Sequence, residues 1–155
     1  MILISIISAL GVGLFSSTSA FDARLASDQW LGSLRLSQKL ALSKQHSSQL
    51  LTFTATQNTN QWDISVAQGG SELNSINIDR HRVELRSSTT DFSSSCATLP
   101  LTSFPLVLYL NGYGDQVNTS RVQLTANTRL CFVADETMQL CVAPSGYAYI
   151  GACLP

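Results

Sequence analysis

Charged residues are scarce in this chain. Only 12% of its 155 residues are Asp, Glu, Lys or Arg, and the formal net charge is −1. Proteins that bind nucleic acid or anionic lipid surfaces carry clusters of Lys and Arg. The composition therefore argues against a nucleic-acid partner, and the many uncharged polar residues are typical of a β-rich exported domain.

Histidine is equally rare, because only His46 and His81 occur. No Cys-x-x-Cys pair is present, so the ligand spacing of a zinc site is missing. The abundant serines include no Gly-x-Ser-x-Gly segment, and neither histidine lies in a catalytic context. The sequence therefore predicts that the protein is not an enzyme, has no metal or other cofactor and takes no small-molecule substrate.

Four cysteines occur, all in the C-terminal part, and four cysteines permit three pairings. An even number behind an apolar N-terminal segment favours two disulfides in an oxidising compartment over free buried thiols. Cys141 and Cys153 are the easiest to join because the stretch between them resembles a hairpin, and such a bond stabilises by about 3 kcal/mol. Cys96 and Cys131 are then left as the second pair by elimination.

The N-terminal segment is apolar from Met1 to Phe15 and contains neither Pro nor charge there. The following residues have apolar positions at helical spacing, with charged residues on the opposite side. We expect one helix over 1–46, with an apolar half (1–20) that is buried in lipid or in other copies and an amphipathic half (21–46). The stripe that should face the domain comprises Ala23, Ala26, Trp30, Leu34 and Ala41.

A second apolar shoulder lies beside this stripe, formed by Leu25, Leu36 and Leu40. Two interpretations remain open for it. The shoulder is either a wider contact with the core or a contact with a neighbouring subunit.

The main alternative for the N-terminus is a cleaved signal peptide. Thr18, Ser19 and Ala20 resemble a small-residue cleavage site, whereas no Lys or Arg precedes the apolar run. In that case the mature protein would be a secreted, disulfide-bonded, β-rich binding domain without residues 1–20.

Residues 47–155 are predicted to form a β domain that makes one globular unit with residues 21–46. Their apolar and polar residues alternate in short runs that are separated by turn-forming residues. The expected fold class is α+β, with a long N-terminal helix packed on one antiparallel sheet. The expected strands cover 49–56, 61–67, 75–85, 105–110, 121–125, 130–134 and 138–142, followed by a closing piece.

Four tyrosines in the C-terminal half have two interpretations: ordinary strand residues on a sheet face, or a surface for a carbohydrate or a protein partner. They are Tyr109, Tyr113, Tyr147 and Tyr149.

Several segments, taken in order, resemble the type IV pilin family. An apolar helix runs into WLGSLRLSQKLALSKQ (30–45), which is similar to the family's first helix. QWDISV (61–66), PLVLYLNGYGD (105–115) and LCVAPSGYAYIGAC (140–153) are similar to later parts of minor pilins and pseudopilins. The chain most resembles minor pilins of the mannose-sensitive haemagglutinin (MSHA) pilus and is also close to type II secretion pseudopilins.

This resemblance implies a structural subunit, with other pilin subunits and inner-membrane assembly proteins as its partners. Such a subunit waits in the inner membrane of a Gram-negative bacterium as a single-pass protein with a periplasmic domain, and then joins a pilus at the cell surface. The residues implied to line the helix bundle or the membrane are Ile2, Leu3, Ile4, Ile6, Ile7, Leu10, Val12, Leu14 and Phe15.

One family feature is missing from the printed sequence. The family carries a short basic leader followed by Gly-Phe-Thr-Leu-x-Glu, whereas Met1 corresponds to a point inside the family's apolar helix. The apolar run is also shorter than the about 20 residues that cross a bilayer. The resemblance therefore implies either that the start codon is misassigned or that the sequence is a fragment, and in-frame translation of the DNA upstream of Met1 tests for the leader.

Overall fold

The computed structural model describes residues 19–154. Within that range, one α-helix, a short 3-10 helix (Cys96–Thr98) and nine strands follow one another. The elements are α1 (Ser19–Ser43), β1 (Leu51–Gln57), β2 (Gln61–Gln68), β3 (Ser71–Asp79), β4 (Glu84–Ser88), β5 (Leu106–Leu110), β6 (Gln116–Val117), β7 (Thr128–Val133), β8 (Thr137–Val142) and β9 (Ala148–Ile150).

The strands form two antiparallel sheets rather than one. The first sheet has the order β3-β2-β1-β5-β6, and the second has the order β4-β7-β8-β9. The expected α+β class with a single sheet is therefore wrong. The described chain is mostly β with a single helix, because β5 and β6 return to the first sheet, whereas β4 pairs with β7 and builds a second sheet with β8 and β9.

Trp30 of α1 joins the two sheets. Its ring centroid lies 5.8 Å from Phe53 on β1 and 5.8 Å from Trp62 on β2. It also lies 5.7 Å from Phe132 on β7 in the second sheet. All four rings are fully buried. Packed aromatic rings of this kind bury large apolar areas at favourable tilted geometries, so this cluster is the centre of the core.

The helical stripe predicted to face the domain is confirmed, because Ala23, Ala26, Trp30, Leu34 and Ala41 are all at most 4% exposed. Three serines on the same side are also buried. Each donates its hydroxyl proton to a carbonyl of the preceding helical turn, for example Ser37 to Ser33 at 2.8 Å. Small side chains let the helix axis lie close to the sheets without leaving polar groups unsatisfied. These serines are Ser27, Ser33 and Ser37.

The expected hairpin of the first two strands is confirmed by the pairing of β1 with β2. The expected strand 75–85 is wrong, because it divides at a turn into β3 and β4. His81, expected on that strand, lies in this turn with a φ of 47°, and the Val83 amide donates to the Arg80 carbonyl. The segment is divided because β3 and β4 belong to different sheets.

The expected strand 121–125 is also wrong. Arg121 has a φ of 66°, and the segment contributes only an isolated bridge between Val117 and Gln123. Val122 is 62% exposed, so the apolar residues that alternate with polar ones in segment 121–125 do not all face a core.

Gln116 ties β6 to the β8–β9 turn. Its amide nitrogen donates to the carbonyls of Val142 (3.1 Å) and Ala143 (2.8 Å), and its amide oxygen accepts from the Thr128 hydroxyl at 3.3 Å. The side chain is 1% exposed, so these bonds satisfy a polar group that would otherwise be costly to bury.

Candidate functional site

The residues implied to line a helix bundle, from Ile2 to Phe15, lie outside the described residues. The described part of α1 is unbroken across the Ala20–Phe21 junction. Within residues 19–154, we find no helix that combines enough length and hydropathy to cross a membrane.

An apolar ridge runs along the side of α1 that faces away from the domain. We define the ridge as Phe21, Leu25, Gly32 and Leu36. The three large side chains are 69%, 52% and 38% exposed, and an added Cβ at Gly32 would meet nothing within 4 Å. Spacings of four and seven residues place these positions on one face of a helix, opposite the buried stripe.

The residues of the apolar shoulder, for which a wider core contact and a subunit contact were both open, do not all behave alike. Leu40 is partly buried and packs against the core, whereas Leu25 and Leu36 are exposed. The shoulder is therefore a wider core contact only at Leu40. At the other two positions, an apolar side chain is left facing solvent.

A groove separates the ridge from strand β3. Its volume is about 420 Å³, and its walls come from one face of α1 and from the middle of β3. The lining residues are Gln29, Gly32, Ser33, Leu36, Asn74, Ser75 and Ile76.

The orientation of the ridge is fixed by polar contacts between α1 and the β8–β9 hairpin. The Arg35 Nε donates to the Ala148 carbonyl at 3.1 Å, and the Arg35 guanidinium lies 5.6 Å from the ring centroid of Tyr147. The Gln38 amide donates to the Ser145 carbonyl at 2.9 Å. Because these contacts hold this polar flank of the helix on the domain, the helix cannot rotate freely to bury the ridge.

Glycines hold the C-terminal end of α1 against two turns. A Cβ at Gly112 would lie 2.6 Å from the Gln45 carbonyl oxygen, and a Cβ at Gly146 would lie 1.9 Å from the Gly114 carbonyl oxygen. Gly146 also has a φ of 72°, which disfavours any other residue. The turn after β8 therefore approaches the backbone of the turn after β5 because residue 146 has no side chain.

The four cysteines form two disulfides, Cys96–Cys131 and Cys141–Cys153. These are the two pairs that the spacing favours. The first bond joins the 3-10 helix to β7, and the second joins β8 to the C-terminal segment. Both bonds therefore stabilise the second sheet and its loops.

Arg129 holds the loop between β4 and the 3-10 helix. The side chain is 4% exposed, and its guanidinium donates to the carbonyls of Asp91 (3.2 Å) and Ser94 (2.9 Å) and to the Gln139 amide oxygen (3.3 Å). A buried guanidinium bonded to carbonyl oxygens orders the backbone that supplies them. The sequence did not reveal this role, because Arg129 is adjacent to a predicted strand and far from the loop along the chain.

The same loop is turned by Asp91. Its carboxylate accepts hydrogen bonds from the amides of Ser94 (2.9 Å) and Ser93 (3.1 Å). Two hydrogen bonds from Ser94 lower the pKa of Asp91 below its ordinary value, and the bond from the Ser94 side chain has a larger effect than the bond from its backbone amide.

Neither histidine forms part of a cluster. His46 lies in the exposed turn after α1, and His81 is exposed in the β3–β4 turn. Across residues 19–154, no three His, Cys, Asp or Glu side chains are placed to hold a metal ion.

The tyrosines do not form a single surface. Tyr147 and Tyr149 stack with centroids 6.1 Å apart, whereas Tyr113 is 76% exposed on the β5–β6 turn and Tyr109 is partly buried on β5. The Tyr149 hydroxyl accepts a bond from the Leu154 amide, so that ring supports the C-terminal segment.

The ridge is thus a row of exposed apolar side chains along one face of α1. No protein-family model, curated protein or solved structure gives a significant match to this chain.

Proposed function

We propose that this protein is a structural subunit of the type IV pilin class, either a minor pilin of MSHA type or a type II secretion pseudopilin. In this proposal α1 packs against the first helices of neighbouring subunits. The subunit is held in the inner membrane with its β-rich domain in the periplasm, and it is then transferred into a filament or its tip.

The observation that carries the proposal is the two-sided apolarity of α1. A helix that serves only its own domain needs one apolar stripe, which here is the buried face around Trp30. The ridge on the opposite face leaves Phe21 and Leu25 more than half exposed. An exposed apolar stripe of this kind indicates contact with another molecule.

The ridge also continues in the sequence. Leu14, Leu10 and Ile7 precede Phe21 by 7, 11 and 14 residues, which is the spacing of one helical face. If α1 extends to these residues, one apolar stripe runs from the implied bundle segment to the middle of the domain. Sister helices would then pack along its whole length.

The proposal is tested with Leu25→Glu in the native bacterium. We expect the amount of this variant in sheared filaments to fall at least about tenfold, because an unpaired carboxylate would be buried between helices. The melting temperature of the purified variant should stay close to that of the wild type, because Leu25 is 52% exposed in the isolated subunit.

The matched control is Leu101→Glu. Leu101 is 60% exposed and lies beside β4, away from α1, so this variant should enter filaments normally. Normal incorporation of Leu25→Glu would refute the packing role of the ridge.

N-terminal sequencing of the exported protein separates the proposal from a secreted binding domain. A mature protein that begins near Phe21 would have lost the apolar segment and could not form a helix bundle.

A further inference from the structure

Arg129 is a buried cation beside the Cys96–Cys131 disulfide. The residue is 4% exposed, and its Nη2 lies 3.5 Å from the Cys96 sulfur. Its other hydrogen-bond partners are neutral oxygens, and its Nε has no partner. The ion pair found among residues 19–154 joins Arg86 to Glu84, so no carboxylate of this part of the chain is paired with Arg129. Because burying a cation without a counter-ion is costly, the site favours a negative charge on a neighbouring atom.

The Cys96 sulfur is the neighbouring atom that can take this charge. A disulfide sulfur is neutral, whereas a reduced cysteine can lose its proton, and a nearby guanidinium stabilises the resulting thiolate. The other disulfide lacks such a neighbour within residues 19–154, since the hydrogen-bond contact of its Cys153 sulfur is with the neutral Thr128 carbonyl. Arg129 therefore distinguishes one cysteine from the other three.

Cys96 is also the more accessible member of its pair. It begins the 3-10 helix in a surface loop, is itself 7% exposed, and has exposed neighbours in Ser95 and Ala97. Cys131 is fully buried on β7, which lies between β4 and β8 in the second sheet. A reagent from solvent therefore reaches the Cys96 sulfur before the Cys131 sulfur.

We propose that Cys96 is the reactive cysteine of this pair and that Arg129 activates it for exchange with an organic disulfide. In the reduced protein, the Cys96 thiolate attacks one sulfur of the oxidant, and the other sulfur leaves as a thiolate. Cys131 then loses its proton and attacks the Cys96 sulfur, which releases the remaining half of the oxidant. The two cysteines lose two electrons, and the oxidant becomes two thiols that take up the two protons. The proposal does not depend on the filament function.

The other charged groups around this loop do not replace Arg129. Arg86 on β4 is paired with Glu84 at 2.7 Å, so its charge is already balanced. Asp91, in the loop itself, directs its carboxylate to backbone amides. Strand β8 contributes the neutral amide of Gln139. The stabilisation of a thiolate here therefore depends on one guanidinium.

The activating role of Arg129 is tested in the full-length protein, purified in detergent. Cys131→Ser leaves Cys96 as a single thiol, and the ultraviolet absorbance of its thiolate is followed as a function of pH. We expect the thiolate fraction at neutral pH to be at least about fivefold higher than when Arg129→Gln is added. Adding Arg129→Lys instead should preserve most of the thiolate, because the positive charge is retained.

Arg86→Gln in the same background is the matched control. It removes another arginine that holds this loop, through a bond to the Leu99 carbonyl, but that arginine does not contact the sulfur. A purely structural effect would appear in both variants, whereas we expect the pH profile to shift only without Arg129. Equal thiolate fractions with and without Arg129, or equal losses in the two arginine variants, would overturn the proposal.

The wild-type protein provides a second test that needs no cysteine substitution. Brief treatment of the folded protein with reduced glutathione, followed by acid quenching and peptide mass spectrometry, locates the mixed disulfide. Because exchange is reversible, the sulfur that reacts with the oxidant is also the one that an external thiolate attacks. We expect glutathione on Cys96 at least about tenfold more often than on Cys131. A mixed disulfide mainly on Cys131, or none on either residue, would contradict the proposed role of Cys96.

Discussion

At the scale of single residues, the molecule depends on positions where no side chain fits. Gly146 contacts the Gly114 carbonyl so closely that an added Cβ would lie 1.9 Å from the oxygen. Since the clash is with backbone, a rotamer change cannot relieve it. The contact holds the β8–β9 turn against the β5–β6 turn beside the end of α1.

Gly146→Ala should therefore lower the free energy of unfolding by about 2–4 kcal/mol, through both the clash and the positive φ. Gly70→Ala is the control, because Gly70 has a φ of 83° but open space around its Cα. Strain alone should cost this variant about 1–2 kcal/mol. Chemical denaturation of both proteins measures the difference, and equal losses would mean that the turn contact contributes nothing.

At the scale of elements, a helix or strand could be predicted from the sequence where its apolar residues repeat at regular spacing and turn-forming residues mark where it ends. The buried stripe of α1 and the β1–β2 hairpin are such cases. The prediction of one continuous strand over 75–85 was wrong because the chain turns at His81 without a Gly or Pro to mark the turn. Segment 121–125 alternates apolar and polar residues but has no neighbouring strand beyond one bridge.

The loop between β4 and the 3-10 helix is an element without regular structure that two anchors hold in place. One is the Cys96–Cys131 bond, and the other is the buried guanidinium of Arg129. The covalent bond fixes only the end of the loop. The hydrogen bonds from Arg129 to Asp91 and Ser94 fix its middle.

Arg129→Met keeps most of the side-chain volume and removes these donors. We expect backbone amides of residues 91–95 to exchange with deuterium at least about tenfold faster, and the free energy of unfolding to fall by about 2 kcal/mol. Arg82→Met, at an exposed position in the β3–β4 turn, should leave both quantities unchanged. Unaltered exchange in Arg129→Met would mean that the disulfide alone orders the loop.

At the scale of the whole molecule, one tryptophan couples two sheets that share no strand. Trp30 contacts rings from β1, β2 and β7, so both sheets pack on the same side chain. The sequence placed Trp30 on the buried stripe, but the division into two sheets could not be predicted, since it depends on pairings such as β1 with β5 between distant parts of the chain. The groove and the open edge of β3 follow from that division, and no local pattern marks them.

Trp30→Ala should lower the free energy of unfolding by about 3–5 kcal/mol and should speed hydrogen exchange in both sheets together. Trp30→Phe is the milder variant. It keeps an aromatic ring and removes an indole N–H that has no hydrogen-bond partner, so we expect a loss below about 1.5 kcal/mol. Separate unfolding transitions of the two sheets in either variant would show that the cluster does not couple them.

Covalent cross-links are distributed unevenly between the two sheets. Both disulfides lie at or after Cys96, so residues 44–95 contain none. A mechanical load pulling on α1 would extend this uncrosslinked segment first, by up to about 3.3–3.6 Å for each residue released. The loops closed by Cys96–Cys131 and Cys141–Cys153 would stay compact under the same force. The increase in length would therefore come from residues 44–95, and the cross-linked C-terminal part would add little.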